Sequence, residues 1–73
     1  MEVEFKAEVR DQNGKVLGTV DHLVRDTWSG EISKFVVRRE APANDLFLSP
    51  DDVLEATKGT VELKVSAEEL DQR

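Results

Sequence analysis

The punctuation of this chain constrains its fold more than any other feature. Asn13-Gly14, Ser29-Gly30, Ser49-Pro50 and Lys58-Gly59 cut the apolar residues into runs of strand length. Ahead of the first turn, Glu2 to Arg10 places Val3, Phe5, Ala7 and Val9 on one face and Glu2, Glu4, Lys6, Glu8 and Arg10 on the other. That alternation predicts a half-buried strand. Asp11-Gln12-Asn13-Gly14 then reverses the chain, because Asn and Gly both tolerate the positive φ of a tight hairpin turn. The run from Lys15 to Asp26 is rich in β-branched residues and holds Gly18 in its interior, where a glycine marks a bulge or a sharp bend. Its apolar set keeps no single parity: Val16, Val20 and Val24 share a face that Leu17 and Leu23 do not. A bulge, or burial on both faces, would account for this.

Thr27-Trp28-Ser29-Gly30 reads as a second turn, and Glu31 to Glu40 as a strand containing Ile32, Phe35, Val36 and Val37. Ala41-Pro42-Ala43-Asn44-Asp45 is the longest non-apolar connection, after which Leu46-Phe47-Leu48 forms a short strand stopped by Ser49-Pro50. One helical turn is expected at Pro50 to Asp52, since proline suits a first helical position and Ser49 can cap it. Val53 to Ala56, the Lys58-Gly59 turn and Thr60 to Val65 form a closing hairpin, with Val61, Leu63 and Val65 on one face. Ser66-Ala67-Glu68-Glu69 matches a capping box, which starts a short helix over Ser66 to Leu70. Five or six short strands without a long helix predict one all-β domain over residues 1–73, a small barrel that closes on itself and leaves no exposed edge.

At 73 residues there is room for one core. The absence of cysteine excludes disulfides and thiolate-bound metal, so stability comes from packing alone. A core this small gains from burying more apolar surface against a second copy, which makes a homodimer a physically sensible state. Ten basic against sixteen acidic residues leave a net charge of −6, which disfavours binding to phosphate backbones. No apolar run approaches the roughly 20 residues that cross a bilayer, and no apolar signal core opens the chain, so the expected setting is the cytoplasm without membrane insertion.

The order of these signals resembles the PRC-barrel family. The similarity is carried by Gly14 in a turn, Leu17-Gly18-Thr19-Val20, Asp26 with Gly30 four residues on, Ile32, Val36-Val37, Pro50 with Val53, and Val61-Glu62-Leu63. It runs from about Phe5 to Leu70. In one respect the chain departs from the pattern, having Ser49 before Pro50 where relatives often carry an aliphatic residue. The resemblance implies a small five- to six-stranded barrel used as a docking module, as in the cytoplasmic part of the photosynthetic reaction centre H subunit and the C-terminal domain of the ribosome maturation factor. Stand-alone members also occur, and this chain looks most like those. The family offers no catalytic residues and no cofactor to carry over.

Candidate chemistry is sparse. His22 is the only histidine and adjoins Asp21, but no serine or cysteine stands in a nucleophile motif, so an ordinary strand histidine is the better reading. Asp11-Gln12-Asn13-Gly14 superficially resembles the start of a calcium loop, yet the position that needs a bidentate glutamate is His22. Asp51-Asp52 and Glu68-Glu69 are explained by helix starts without a metal. Arg38-Arg39 with Lys34 is the one basic cluster, and neighbouring strand residues point to opposite faces, so the two arginines cannot line one groove. Phe5, Phe35 and Phe47 stand at core-like strand positions rather than on a base-stacking platform.

Trp28 is more informative, because a large aromatic in a Ser/Gly-flanked turn is not readily assigned to the core. It either folds back to cap the barrel mouth or anchors an interface. The sequence therefore points to a non-catalytic, self-associating interaction module using Trp28 and Phe47, with no cofactor and no metal. The alternative is an accessory factor in ribosome or RNA maturation that docks a ribosomal protein.

Overall fold

The computed structural model describes residues 3–72. Six strands, β1 (Glu8–Arg10), β2 (Val16–Arg25), β3 (Ile32–Arg38), β4 (Leu46–Leu48), β5 (Val53–Thr57) and β6 (Thr60–Leu63), form one sheet in the order β4-β3-β2-β1-β6-β5. A 3-10 turn at Pro50–Asp52 joins β4 to β5, and a short helix, α1 (Ala67–Asp71), follows β6. All neighbours are antiparallel except β1 and β6. This is the all-β architecture that the turn spacing predicts. The sheet curls through half a barrel and ends on β4 and β5 as two edges, so the expected removal of every edge does not occur. Strand β4 is three residues long and pairs only with β3 among the described residues.

The alternation expected from Glu2 breaks at Lys6. Glu2 itself lies outside the described residues, and β1 spans only Glu8–Arg10. Glu4 to Ala7 forms a turn in which Ala7 N donates to Glu4 O at 3.2 Å and Lys6 takes φ 68°. Val3 and Ala7 remain buried, but Phe5 is rotated outward and is 58% exposed. Lys6 N still donates to Val20 O at 2.8 Å, so the turn is a local excursion beside β2.

The mixed parity of β2 is resolved by slips in register. Val9 pairs with Gly18 and Arg10 with Val16, which leaves Leu17 as an extra residue turned into the core. Val20 pairs with Val37 and His22 with Val36, which leaves Asp21 as a second extra residue. Before that bulge the even-numbered Val20 points inward; after it the inward position passes to Leu23, opposite buried Phe35. Val16 and Val24, expected to share a face with Val20, are exposed. At Gly18, an added Cβ would overlap the Arg38 carbonyl, so a glycine is needed there to let β3 approach.

The core gathers Val9, Val20, Phe35, Val37, Val61 and Leu63 from four neighbouring strands. Leu46, Leu48 and Val53 extend it at the two edges, and α1 adds Ala67 and Leu70. Beyond Val20 no residue of β2 is fully buried, so the far half of the β2–β3 hairpin stands out from the core. Ten extended residues span about 33 Å, which accounts for a long dimension of 34 Å against 22 and 21 Å.

Candidate functional site

The hairpin tip is held by its own hydrogen bonds. Asp26 N donates to Glu31 O at 2.8 Å and Gly30 N to Asp26 O at 2.9 Å, with Gly30 at φ 74°. The Asp26 carboxylate accepts from Trp28 N at 2.7 Å and from Ser29 N at 3.2 Å. Arg25 closes the base by donating to Gly30 O at 2.9 Å. These bonds fix the backbone while the Trp28 side chain is 97% exposed. Trp28 therefore does not fold back over the barrel mouth, one of the two placements open from the sequence.

Phe47 is the second exposed aromatic, at 73%. It lies on the outward face of β4 opposite Val36, which in turn lies opposite His22 on β2. Val24 and Lys34 form the next cross-strand pair on that face. Of the three phenylalanines expected in the core, only Phe35 is there. The β3 strand runs four residues beyond Val36 before the tip turn begins, about 13 Å, so Trp28 and Phe47 belong to separate patches.

The polar candidates disperse. His22 has Nδ1 bonded to the carbonyl of Asp21 at 2.8 Å, and its Nε2 lies 3.6 Å from the Asp21 carboxylate. Arg39 donates to Asn44 O at 2.6 Å and to Asp71 Oδ1 at 3.2 Å, which anchors the connection before β4 to α1. Arg38 is exposed, and it lines one groove together with Arg39, against the expectation that the two arginines could not share a groove, because Arg39 lies past the end of β3 where strand alternation no longer applies. This groove, of about 800 Å³, lies between the start of β2, the end of β3 and α1. Lys15, Arg38 and Arg39 there are balanced by Glu8, Glu40 and Asp71, so it favours no ligand charge. Asp52 accepts from Ser49 N at 3.2 Å, so at this turn the carboxylate caps the serine backbone. Among the described residues no group of three or more His, Cys, Asp or Glu is arranged to hold a metal ion.

Asp11 has a structural part that the sequence showed only in half. Its Oδ1 accepts from Asn13 N at 2.9 Å and Lys15 N at 2.8 Å, an Asx-type closure of the first hairpin. Its Oδ2 accepts from Ala67 N at 3.0 Å, fifty-six residues away, at the start of α1. Ser66 Oγ accepts from Glu69 N at 3.2 Å, so the helix is capped by Ser66 and Asp11 together. The Ala67 amide holds the Asp11 carboxyl below its ordinary pKa against the opposing effect of burial, and the Lys15 and Asn13 amides and the Lys15 charge add to this. Of Asn13-Gly14, only the glycine takes positive φ, at 82°. With Asp11 N donating to Lys15 O and Gly14 N to Asp11 O, the loop is the three-residue form closed by a left-handed glycine.

No helix among the described residues is long and apolar enough to cross a membrane. No protein-family model matches this chain, and no curated protein matches it either.

Proposed function

We propose that this chain is a non-catalytic protein-interaction module that associates with itself, a domain of the PRC-barrel type. The observation that carries the reading is the exposure of Trp28 at 97% and Phe47 at 73% on a domain whose own core is filled without them. Burying a side chain of that size returns on the order of 3 kcal/mol, and Trp is the residue type most enriched where binding energy concentrates. A tip loop ordered by its own backbone loses little further freedom on docking, which favours association. The dispersal of His22, Arg38 and the acidic pairs offers no convergent nucleophile, base and oxyanion donors, which supports a binding role over a catalytic one.

The test is solution mass by size-exclusion chromatography with light scattering, from micromolar to millimolar protein. Wild type is expected to show a mass that rises with concentration. Trp28→Ala should leave the thermal midpoint unchanged, because the side chain is almost wholly in solvent, and should weaken association. If Trp28→Ala associates as wild type does, the hairpin tip takes no part in the interface.

A further inference from the structure

The two free edges of the sheet are not equivalent. On β5 the register with β6 shifts between Val53 and Glu55, leaving Leu54 in a bulge, and the strand carries a charge at Glu55. Besides shortness, which β4 has at three residues, a bulge and a charge are devices by which natural edges resist pairing with another chain. On β4 neither is present: Leu46, Phe47 and Leu48 pair with β3 in unbroken register, without a charged residue or a proline. Among the described residues the backbone of Leu46–Leu48 has no hydrogen-bond partner besides β3, and the three residues line a groove with Leu70 and Asp71 of α1. Phe47, the exposed aromatic of that edge, sits at its midpoint.

Resting on the reading of self-association, we infer that β4 is the pairing edge, and that it receives β4 of a second copy in antiparallel register centred on Phe47. Charge placement selects this occupant and this orientation. The register Val36 with Phe47 and Phe35 with Leu48, continued by one residue, sets Lys34 beside Ser49; continued the other way, it sets Arg38 beside Asp45. Antiparallel pairing centred on Phe47 brings Ser49 of one copy opposite Asp45 of the other. Across the joined sheet the row then reads Lys34, Ser49, and Asp45 of the second copy. Lys34 and Asp45 are two strand spacings apart, about 10 Å, with only a serine side chain between them, a span that a lysine side chain and a carboxylate bridge. Neither Lys34 nor Asp45 is engaged in an ion pair among the described residues, and the two-fold axis makes the contact twice. Parallel pairing in register would instead set Asp45 against Asp45.

The same register stacks Phe47 on Phe47 across the axis, flanked by Val36 of each copy, which makes one apolar strip on the outward face. A slip of one residue would turn each Phe47 to the side opposite its counterpart and lose the strip. Three paired residues per copy and two aromatics place the interface at the small, transient end of the range. Association is therefore expected at high protein concentration and in rapid exchange.

The experiment is sedimentation equilibrium of the intact chain from micromolar to millimolar concentration, with amide hydrogen exchange at Leu46–Leu48 as a local readout. Wild type should move toward twice the monomer mass, with protection of those amides rising in step. Phe47→Glu, an exposed substitution that leaves the fold intact by circular dichroism, should move the onset of association to several-fold higher concentration. Lys34→Asp and Asp45→Lys should each weaken association several-fold, and the double charge swap should recover it, a rescue that a purely structural role would not produce. A concentration-dependent mass that Phe47→Glu leaves unchanged would overturn the β4 register while self-association stands. A monomer at every concentration would overturn both, and would leave a strand of a different protein as the occupant of this edge.

Discussion

Gly18 is the position where the fold makes its sharpest demand on one residue. A methyl group there would fall inside contact distance of the Arg38 carbonyl oxygen, 2.9 Å from its carbonyl carbon and 3.3 Å from Val37 Cγ1. The first two are backbone atoms, which cannot rotate aside, so β2 and β3 must separate next to the pair Thr19 with Arg38. Forcing extra atoms into a packed site costs about 1–3 kcal/mol, while replacing glycine by alanine recovers about 0.4–1 kcal/mol by restricting the unfolded chain. Gly18→Ala should therefore lose about 1–2 kcal/mol, and Gly18→Val, with two more carbons at the same contact, about 3 kcal/mol. For a domain of this length the alanine variant corresponds to a fall in Tm of roughly 5–15 °C. Urea unfolding followed by far-UV circular dichroism is the appropriate assay. Fluorescence of Trp28, the only tryptophan, is a poor probe because its side chain is already 97% exposed in the folded state. Gly14→Ala provides the control: nothing lies within 4 Å of its Cβ position, so it reports only the left-handed backbone at φ 82°, a cost of about 1–2 kcal/mol. An unchanged midpoint for Gly18→Ala, with an unchanged m value, would refute the close approach of β3.

Lys6 tests the N-terminal turn. At φ 68° a β-branched residue is strained, so Lys6→Val should lose about 1–2 kcal/mol while Lys6→Gly holds or gains stability; equal midpoints for the two variants would show that the left-handed turn is not kept in solution. Asp11 tests the link to α1 through pH. Its folded pKa is lowered, so its contribution is complete above the unfolded value of about 3.9 and is lost as pH falls through the folded value. Asp11→Asn should be less stable than wild type at neutral pH, and the gap should narrow on acidification below about pH 4; urea midpoints that stay separated by the same margin at acid pH would contradict the assignment.

Much of the local structure was legible in the sequence because it is set by local chemistry. Gly14, Gly30 and Gly59 supply positive φ at three turns, Pro50 opens the 3-10 turn, and Ser66 caps α1. The period-two runs around Val9, Val37 and Val61 mark strands wherever they lie in the chain. Which side of a strand meets the core is a different matter, because one extra residue exchanges the faces. The bulge at Asp21 moved burial from Val24 to Leu23, and the turn at Lys6 took Phe5 out of a face it shares by parity with Val3 and Ala7. No local signal marks either displacement. Both follow from what the neighbouring strand allows.

The candidate surface divides in the same way. Trp28 was conspicuous in the sequence as a large aromatic among turn formers, and its exposure follows from hydrogen bonds made within six residues, Asp26 to Glu31. Phe47 stood at a core-like strand position and was also an interface candidate, and only the ending of the sheet at β4 places it, 73% exposed, on an edge strand. Asp11 announced a turn through its short-range bonds, but nothing near it in sequence specifies a bond to Ala67. Residue order alone determined the class of fold, the turns and the caps, since these depend on φ preferences and on bonds a few residues long. The tertiary structure decided burial, the open edges and the long-range cap, because these depend on which distant segments come to lie side by side.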